Sequence, residues 1–459
     1  MSIIGRLDGE LERMARTFTI EALAKDFQPV ILDALSRHKK AKQRKSVLTP
    51  VLAVWLILAL TLRRDLAYPN VLAWLVSGLR SIGARLPRRL VKDGAITHAR
   101  RRIGVDVLRD LFCWTGRQAL ELGADFHGWV SVIVDGSQLT MPDTAVNCIR
   151  WGKPGASRGM AAFAQLRLVA LVSAATQAVL EVVLAPCRGE GTGEKTLAVD
   201  LVGKTARGGL LFLLDRGFWV FAILDAILER QAGFLLRVPS NARLKPIRGT
   251  RLSDGSYLAW LEERAGKRRH KVRVIRYQIR GFKHSRLVTS IVDPSISAVQ
   301  LVHHYHRRWE VELAYDALKT HQCARRTGQC PTVLRSKSPD LVEQEVYAML
   351  TAYNLTRSLM CQAAVKHQLD PLSLSFVDTL RVIFEAIPAL RAARSESLPT
   401  LYERLLDDIA TCVLDRRRRP RVYRRAVKVK MSAFPLKRWD DHEIRRSMTD
   451  DLRVLGVRA

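Results

Sequence analysis

Hydrophobic and polar positions divide the chain into stretches of different period. From residue 1 to about 128, Leu, Ala, Val and Arg recur at helical spacing, most clearly over residues 20–35 and 105–122. Residues 51–60 are apolar without interruption but too few to cross a bilayer, and Arg63 and Arg64 close the run, which predicts a buried helix. The texture changes at Trp129. Residues 130–134 are a β-branched run that predicts a buried strand, ending at Asp135-Gly136-Ser137. Residues 165–173, 178–184 and 210–214 read as further strands, the last stopping at Asp215. Helices over 197–204 and 220–231 alternate with them, and 189–196 reads as a polar, Gly-rich loop. Residues 234–293 are β-rich in pattern, with strands expected at 234–238, 257–260, 271–279 and 286–292. From Ala298 the pattern is helical again, as far as a tail at 416–438 that holds 11 Lys or Arg and no acid.

Charge sharpens this picture. The 459 residues contain 75 Lys plus Arg against 44 Asp plus Glu, a net charge of +31. Such an excess implies a polyanionic partner, because phosphate backbones release counterions on binding cationic side chains. Basic clusters at 37–45 and from Arg80 through Arg88 and Arg89 to Arg100-Arg101-Arg102 point the same way. No signal peptide or membrane-spanning run is expected, which favours the cytoplasm. The seven cysteines include no CxxC, and Cys323 and Cys330 do not match a zinc spacing, so reduced thiols are expected.

Two acids stand where apolar strands end: Asp135 after Val-Ile-Val and Asp215 after Phe-Leu-Leu. Ligands of α/β sheets bind at such strand ends. Either acid alone fits a turn or a helix cap; together they suggest a hard divalent cation, which takes carboxylate oxygens. A third acid comes from the helix that follows the β-rich block. At about 100° per residue, Tyr305, Arg308, Glu312 and Lys319 share an arc of about 60°, beside an apolar arc of Val302, Trp309 and Leu313. Glu310 points elsewhere, while Asp316 falls close to the polar arc. An ordinary amphipathic helix with surface ion pairs gives the same spacing.

Tyr305-x2-Arg308-x3-Glu312-x6-Lys319 resembles the Tyr-Arg-Glu-Lys signature of the insertion-sequence-four family of bacterial transposases. Asp135 in Val-Asp-Gly-Ser and Asp215 in Leu-Leu-Asp-Arg-Gly-Phe resemble the family's two catalytic Asp motifs. Residues 142–147, 334–339, 353–355, 99–104 and the tail around Arg421 also look similar to it. The resemblance implies an α/β fold with a ribonuclease-H-like core, interrupted by a β-rich insertion at about 236–297. A helical, DNA-binding N-terminal domain at 1–128 would precede the catalytic domain at 129–375, and a helical, basic C-terminal region at 376–459 would follow. It further implies cut-and-paste transposition, with Asp135, Asp215 and Glu312 as catalytic residues and ligands of two Mg2+ ions, for which Mn2+ would substitute. Tyr305, Arg308, Trp309 and Lys319 would bind DNA. The partners would be the element's terminal inverted repeats and target DNA, held by a homodimer in a synaptic complex at the bacterial nucleoid.

Other features weigh less. Residues 189–196 imitate a phosphate-binding loop, but Glu194 before Lys195 spoils the anion site; Glu194 is instead expected beside the active site. His303, His304 and His306 lack the i, i+4 spacing of zinc helices, and a solvated or phosphate-near role is expected. Asp143 and Asn147 are expected to shape a turn after Pro142. A nuclease that cuts without joining, and an inactive transposase-derived DNA-binding protein, are the competing functions; the full signature and the intact acids argue against both.

Overall fold

The computed structural model describes residues 21–41, 48–75 and 91–414, apart from 92, 122, 157–158, 264–265, 267, 281, 323–332 and 394, and then 421–422, 446–447 and 451–456. Cys323, Cys330, Arg80, Arg88, Arg89, the basic residues from Lys42 to Lys45 and most of the basic tail lie outside the described residues.

Five helices open the described chain: α1 (Glu21–Arg37), α2 (Pro50–Leu62), α3 (Tyr68–Leu75), α4 (Asp93–Ile103) and α5 (Asp106–Leu120). Strand β1 (Val130–Thr140) follows, then α6 (Ala145–Trp151), the short pair β2 (Gly155–Ala156) and β3 (Gly159–Met160), β4 (Gln165–Ser173) and β5 (Val179–Pro186). Helix α7 (Glu194–Thr205), β6 (Leu210–Leu214) and α8 (Phe221–Glu229) lead to β7 (Gly233–Val238), β8 (Arg243–Arg251), β9 (Tyr257–Glu262), β10 (Arg269–Ile279) and β11 (Ser285–Thr289). The rest is helical: α9 (Ala298–Tyr305), α10 (Glu310–Asp316), α11 (Pro339–Lys366), α12 (Phe376–Ala392) and α13 (Leu398–Thr411), with short strands β12 (Arg421–Val422), β13 (Arg446–Ser447) and β14 (Leu452–Val454) after them.

These elements form two compact units. The first takes Met1–Gly123, Gly136–Leu197 and Glu310–Val413; the second takes Ala124–Asp135, Ala198–Trp309 and Leu414–Ala459. The chain therefore passes from one to the other inside β1, directly after Asp135, and again between Trp309 and Glu310.

The first unit is built on α11, which is buried along most of its length and packs on α2, α5 and α13. The apolar run expected to be a buried helix is α2, whose residues Leu52–Thr61 are all buried. Thr49 caps it, its hydroxyl accepting from the Leu52 amide at 3.2 Å, and Pro50 starts the first turn, where no donor is lost. No helix among the described residues is long and apolar enough to cross a membrane. Strands β4 and β5 pair as an antiparallel hairpin with a register shift at Leu171/Val172. Helix α5 lies so close on this hairpin that a Cβ at Gly116 would stand 2.4 Å from the Leu180 carbonyl oxygen. A buried knot ties the loop at 333–338 in place. Arg64 pairs with Glu345 at 3.0 Å, and Glu345 also accepts from the Arg335 and Ser336 amides and the Ser336 hydroxyl. Arg100 donates to Gln344, Ser336 and the Leu341 carbonyl. Asn147 is fully buried in α6, donating to the Pro142 and Ser336 carbonyls, so it braces this loop rather than shaping a turn.

The second unit is a sheet. Strands β1, β6 and β7 run parallel, and β11, β10, β9 and β8 continue antiparallel, with β14 also on β10. Leu210–Leu214 is buried throughout, as a strand covered on both faces requires. The sequence misses β8, whose Arg, Lys and Pro lie on an exposed edge, where charge and proline blunt further pairing. Arg273 is fully buried, donating to the Asp254 carboxylate, the Ser256 hydroxyl and the Asp293 and Ile296 carbonyls. The cysteines Cys113, Cys148, Cys187, Cys361 and Cys412 are free thiols.

His304 departs from the solvated role its sequence suggests. It is 6% exposed, stacks on Phe126 with ring centroids 3.9 Å apart, and its Nε2 is 2.6 Å from the Ser131 hydroxyl. Burial pushes its pKa down to about 3, and that of His306 down to about 4.

Two predictions follow from this packing. Gly116→Ala should destabilise the protein by roughly 1–3 kcal/mol, because the atom it meets is backbone, whereas Gly203→Ala, with nothing within 4 Å, should gain about 0.5–1 kcal/mol; denaturant melts of both decide it. The histidines also set a pH dependence. Below an unfolded pKa of about 6.5 the unfolded chain takes up protons that the buried rings refuse, so stability falls as pH drops toward about 4, by up to about 1.4 kcal/mol per pH unit for each ring. His304→Gln should flatten that slope by about one proton; an unchanged slope would mean that the ring is not held neutral.

Candidate active site

Asp135 does not end its strand. Strand β1 continues through it to Thr140, with Leu139 buried and the Thr140 carbonyl accepting from the Val333 and Leu334 amides. Asp215 does end β6, at the head of a 3-10 turn (Arg216–Phe218), yet its side chain makes no capping hydrogen bond. The parallel register pairs Val134 with Leu214, the residues immediately before the two acids. The two aspartates thus leave neighbouring strands at the same level, about 4.8 Å apart by strand spacing. Both are partly exposed, whereas the four residues before each are buried. Like charges so placed repel unless a cation lies between them, and their oxygens are the donors a hard divalent ion prefers. This pair fits such an ion. Among the described residues no group of three His, Cys, Asp or Glu converges on a metal-sized site.

Tyr305 belongs to the same unit. It is 4% exposed, and burial holds its hydroxyl pKa well above the usual value, with the Asp215 charge adding to the rise against Arg308 and Arg237. Arg308 is buried too, its guanidinium 4.9 Å from the centre of the Trp309 ring, which is half-buried. Stacking of this kind holds a planar cation while leaving its N–H edge available.

Glu312 and Lys319 lie in the first unit. Glu312 is exposed on α10. Lys319 is half-buried and donates to the Ser137 hydroxyl at 3.0 Å; burial lowers its pKa. Asp316 is exposed, with His321 3.4 Å away.

A single helical wheel does not describe this segment. Helix α9, capped by the Ser297–Gln300 box, gives way to a 3-10 turn (His306–Trp309), then α10, then a π-helical turn (Ala317–Gln322). The 3-10 turn winds by about 120° per residue and the π turn by less than 100°. The four signature residues therefore sit on four segments of three pitches, and of the four Glu312 alone is exposed. Helical periodicity carries no signal for such changes; the Gly- and Pro-free stretch 298–322 reads as one helix.

Two further residues crowd β1 just beyond Asp135. Helix α7 starts at Glu194, earlier than the loop assignment allowed. The Glu194 carboxylate lies over Gly136, where a Cβ would come within 2.3 Å of it, so a larger residue there would push the Glu194 side chain aside. Ser137, the partner of Lys319, follows directly. Ser137 belongs to the Val-Asp-Gly-Ser motif, but nothing in the sequence marks its contact with Lys319.

Two family models and one relative place the chain among known proteins. A family model described as Transposase DDE domain matches residues 130–355, and one described as Insertion element 4 transposase N-terminal matches residues 17–113. The transposase InsG for insertion sequence element IS4 of Escherichia coli (strain K12) is 26% identical over 410 residues, spanning 85% of this chain and 88% of that protein. Among solved structures, the cryo-EM structure of the piggyBac transposase synaptic complex with hairpin DNA is similar at a TM-score of 0.42 and 13% identity, over 88% of this chain and 85% of that one. The chain belongs to the insertion-sequence-four family of DDE transposases, DNA transposases that cleave DNA and transfer its strands.

Proposed function

We propose that the protein moves its element by cut-and-paste transposition, with Asp135, Asp215 and Glu312 as the catalytic carboxylates. The observation that carries this reading is the pair of aspartates that directly follow the paired residues Val134 and Leu214 of two parallel apolar runs, in a chain of this family. Glu312 joins them on the strength of the Tyr305–Arg308–Glu312–Lys319 spacing. These acids would hold Mg2+, with Mn2+ as a substitute, within a ribonuclease-H-like core that the β-rich block at about 236–297 interrupts. Divalent ions held there supply the charge that acidifies the attacking water or 3′-hydroxyl and steadies the leaving oxygen.

The remaining roles belong to the chain itself. Arg308, stacked on Trp309, offers its guanidinium edge to a phosphate at the element's end. Lys319 offers a point charge, steadied by Ser137. Tyr305, whose raised pKa keeps it protonated, donates a single hydrogen bond. The N-terminal helices within 1–128 and the basic C-terminal region within 376–459 bind the terminal inverted repeats and target DNA, with two copies of the chain pairing the ends.

The test is cleavage of a plasmid carrying the DNA that flanks this gene, in Mg2+ or Mn2+, by the wild type, Asp135→Ala and Glu312→Ala. Cuts at the flanks should appear in the wild type and fall by roughly 10³-fold or more in both variants. Specific binding of the ends without cutting by the wild type would instead favour an inactive, DNA-binding descendant.

A further inference from the structure

We infer that Gln177 and Arg357 are positioning residues for Glu312, acting through the buried carboxylate of Glu310; this rests on the reading of Glu312 as catalytic. Glu310 is fully buried, and Gln177, Tyr353 and Arg357 are buried around it, all in the first unit. The Gln177 side-chain amide donates to Glu310 Oε2 at 2.7 Å and accepts from the Arg357 guanidinium. Arg357 Nε donates to the Tyr353 hydroxyl at 3.1 Å, which donates in turn to the Gln177 carbonyl at 3.0 Å. One amide thus joins a buried cation to a buried anion, its oxygen toward the first and its NH2 toward the second.

The turn that presents Gln177 is itself fixed. Gln177 adopts φ +60 between β4 and β5, a conformation that needs support in a residue with a Cβ. The Ser173 carbonyl accepts from its amide at 2.9 Å. One residue past the turn, Asn354 of α11 grips Val179 through both of its amide atoms, accepting at 2.9 Å and donating at 2.7 Å. Glutamine 177 is therefore held by α11 rather than by the helix it supports.

That helix needs an outside reference. Helix α10 has only seven residues, between a 3-10 turn and a π turn, so its own hydrogen bonds do not set its rotation. Glu310 opens it, and Glu312 lies two residues on, about 200° around the axis. Fixing Glu310 in the core fixes Glu312 outward. At the far end Lys319 is held by Ser137, so the segment carrying Glu312 is clamped on both sides. Neither Gln177 nor Arg357 reaches the reacting atoms. Their effect is on the aim of one carboxylate, and hence on ion affinity and rate rather than on end binding.

The experiment uses the full chain with Gln177→Met, which keeps length but joins no charges, and Glu310→Gln, which keeps an acceptor for Gln177. Four quantities are read: single-turnover cleavage of end DNA, Mn2+ binding by calorimetry, end binding by gel shift, and thermal melting. Leu224→Ala, a core truncation on α8 outside this network, calibrates the effect of lost stability alone. Gln177→Met should slow cleavage and weaken Mn2+ binding by roughly ten- to a hundredfold, with end binding unchanged. Glu310→Gln should recover most of both, and Leu224→Ala should leave Mn2+ affinity at the wild-type value. Wild-type Mn2+ affinity and rate in Gln177→Met would overturn the inference, as would losses that merely track melting temperature along with Leu224→Ala. Should Gln177→Met not fold, Arg357→Lys carries the same comparison. Cleavage that survives Glu312→Ala overturns the reading of the site itself, whereas cleavage lost there but untouched in Gln177→Met overturns the positioning role alone.

Discussion

The pairing of β1 with β6 is the constraint from which the rest of the second unit follows. Both strands are apolar on both faces, so each is stable only inside a covered, parallel sheet. The same apolar run that demands burial ends in an acid in each strand, and the register aligns the two ends. A slip of one residue would turn every side chain of one strand to the opposite face and break the packing on both. Core packing therefore enforces an electrostatically unfavourable neighbourhood of two carboxylates. A divalent cation bound there, as proposed above, would offset that repulsion.

The first unit is held by a different means. Four of its buried polar and charged side chains, Arg64, Arg100, Gln344 and Glu345, are gathered in a knot around the loop at 333–338. Glu345 receives donors from one arginine and two backbone amides, so removing any one partner leaves a carboxylate buried with reduced compensation. The same loop donates to the carbonyl of Thr140 at the end of β1 and accepts from Asn147. Helices from the N-terminal region, the far end of the strand that carries Asp135, and the long α11 are thereby fixed to one another.

Much of this is visible in the sequence, because local pattern and burial agree there. Strands 165–173 and 210–214 emerge at their observed bounds, since short stretches this rich in Leu and Val have few other ways to be buried. The three acids stand out for a related reason, as charges at the margins of apolar runs and in a spaced signature. What stays hidden depends on distance along the chain. Gln177 and Glu310 are 133 residues apart, and neither carries a motif that names the other. The end of β1 is misjudged because Asp-Gly-Ser is ordinary turn chemistry, while here a tertiary partner, the loop at 333–338, extends the strand. His304 is misjudged because a histidine among basic residues gives no hint of the Phe126 ring that covers it.

The change of pitch around Glu312 bears on how such a protein loses its activity. A π turn is an α-helix carrying one residue more than its length needs. Deleting one residue within Ala317–Gln322 would let the turn close to ordinary α pitch with its flanks kept in register, so the change falls on the side chains inside the turn, Lys319 among them. The apolar core and the charged knot around Glu345 would be left whole. A single lost codon would thus re-aim Lys319 relative to Ser137 while leaving the helices of the first unit in place.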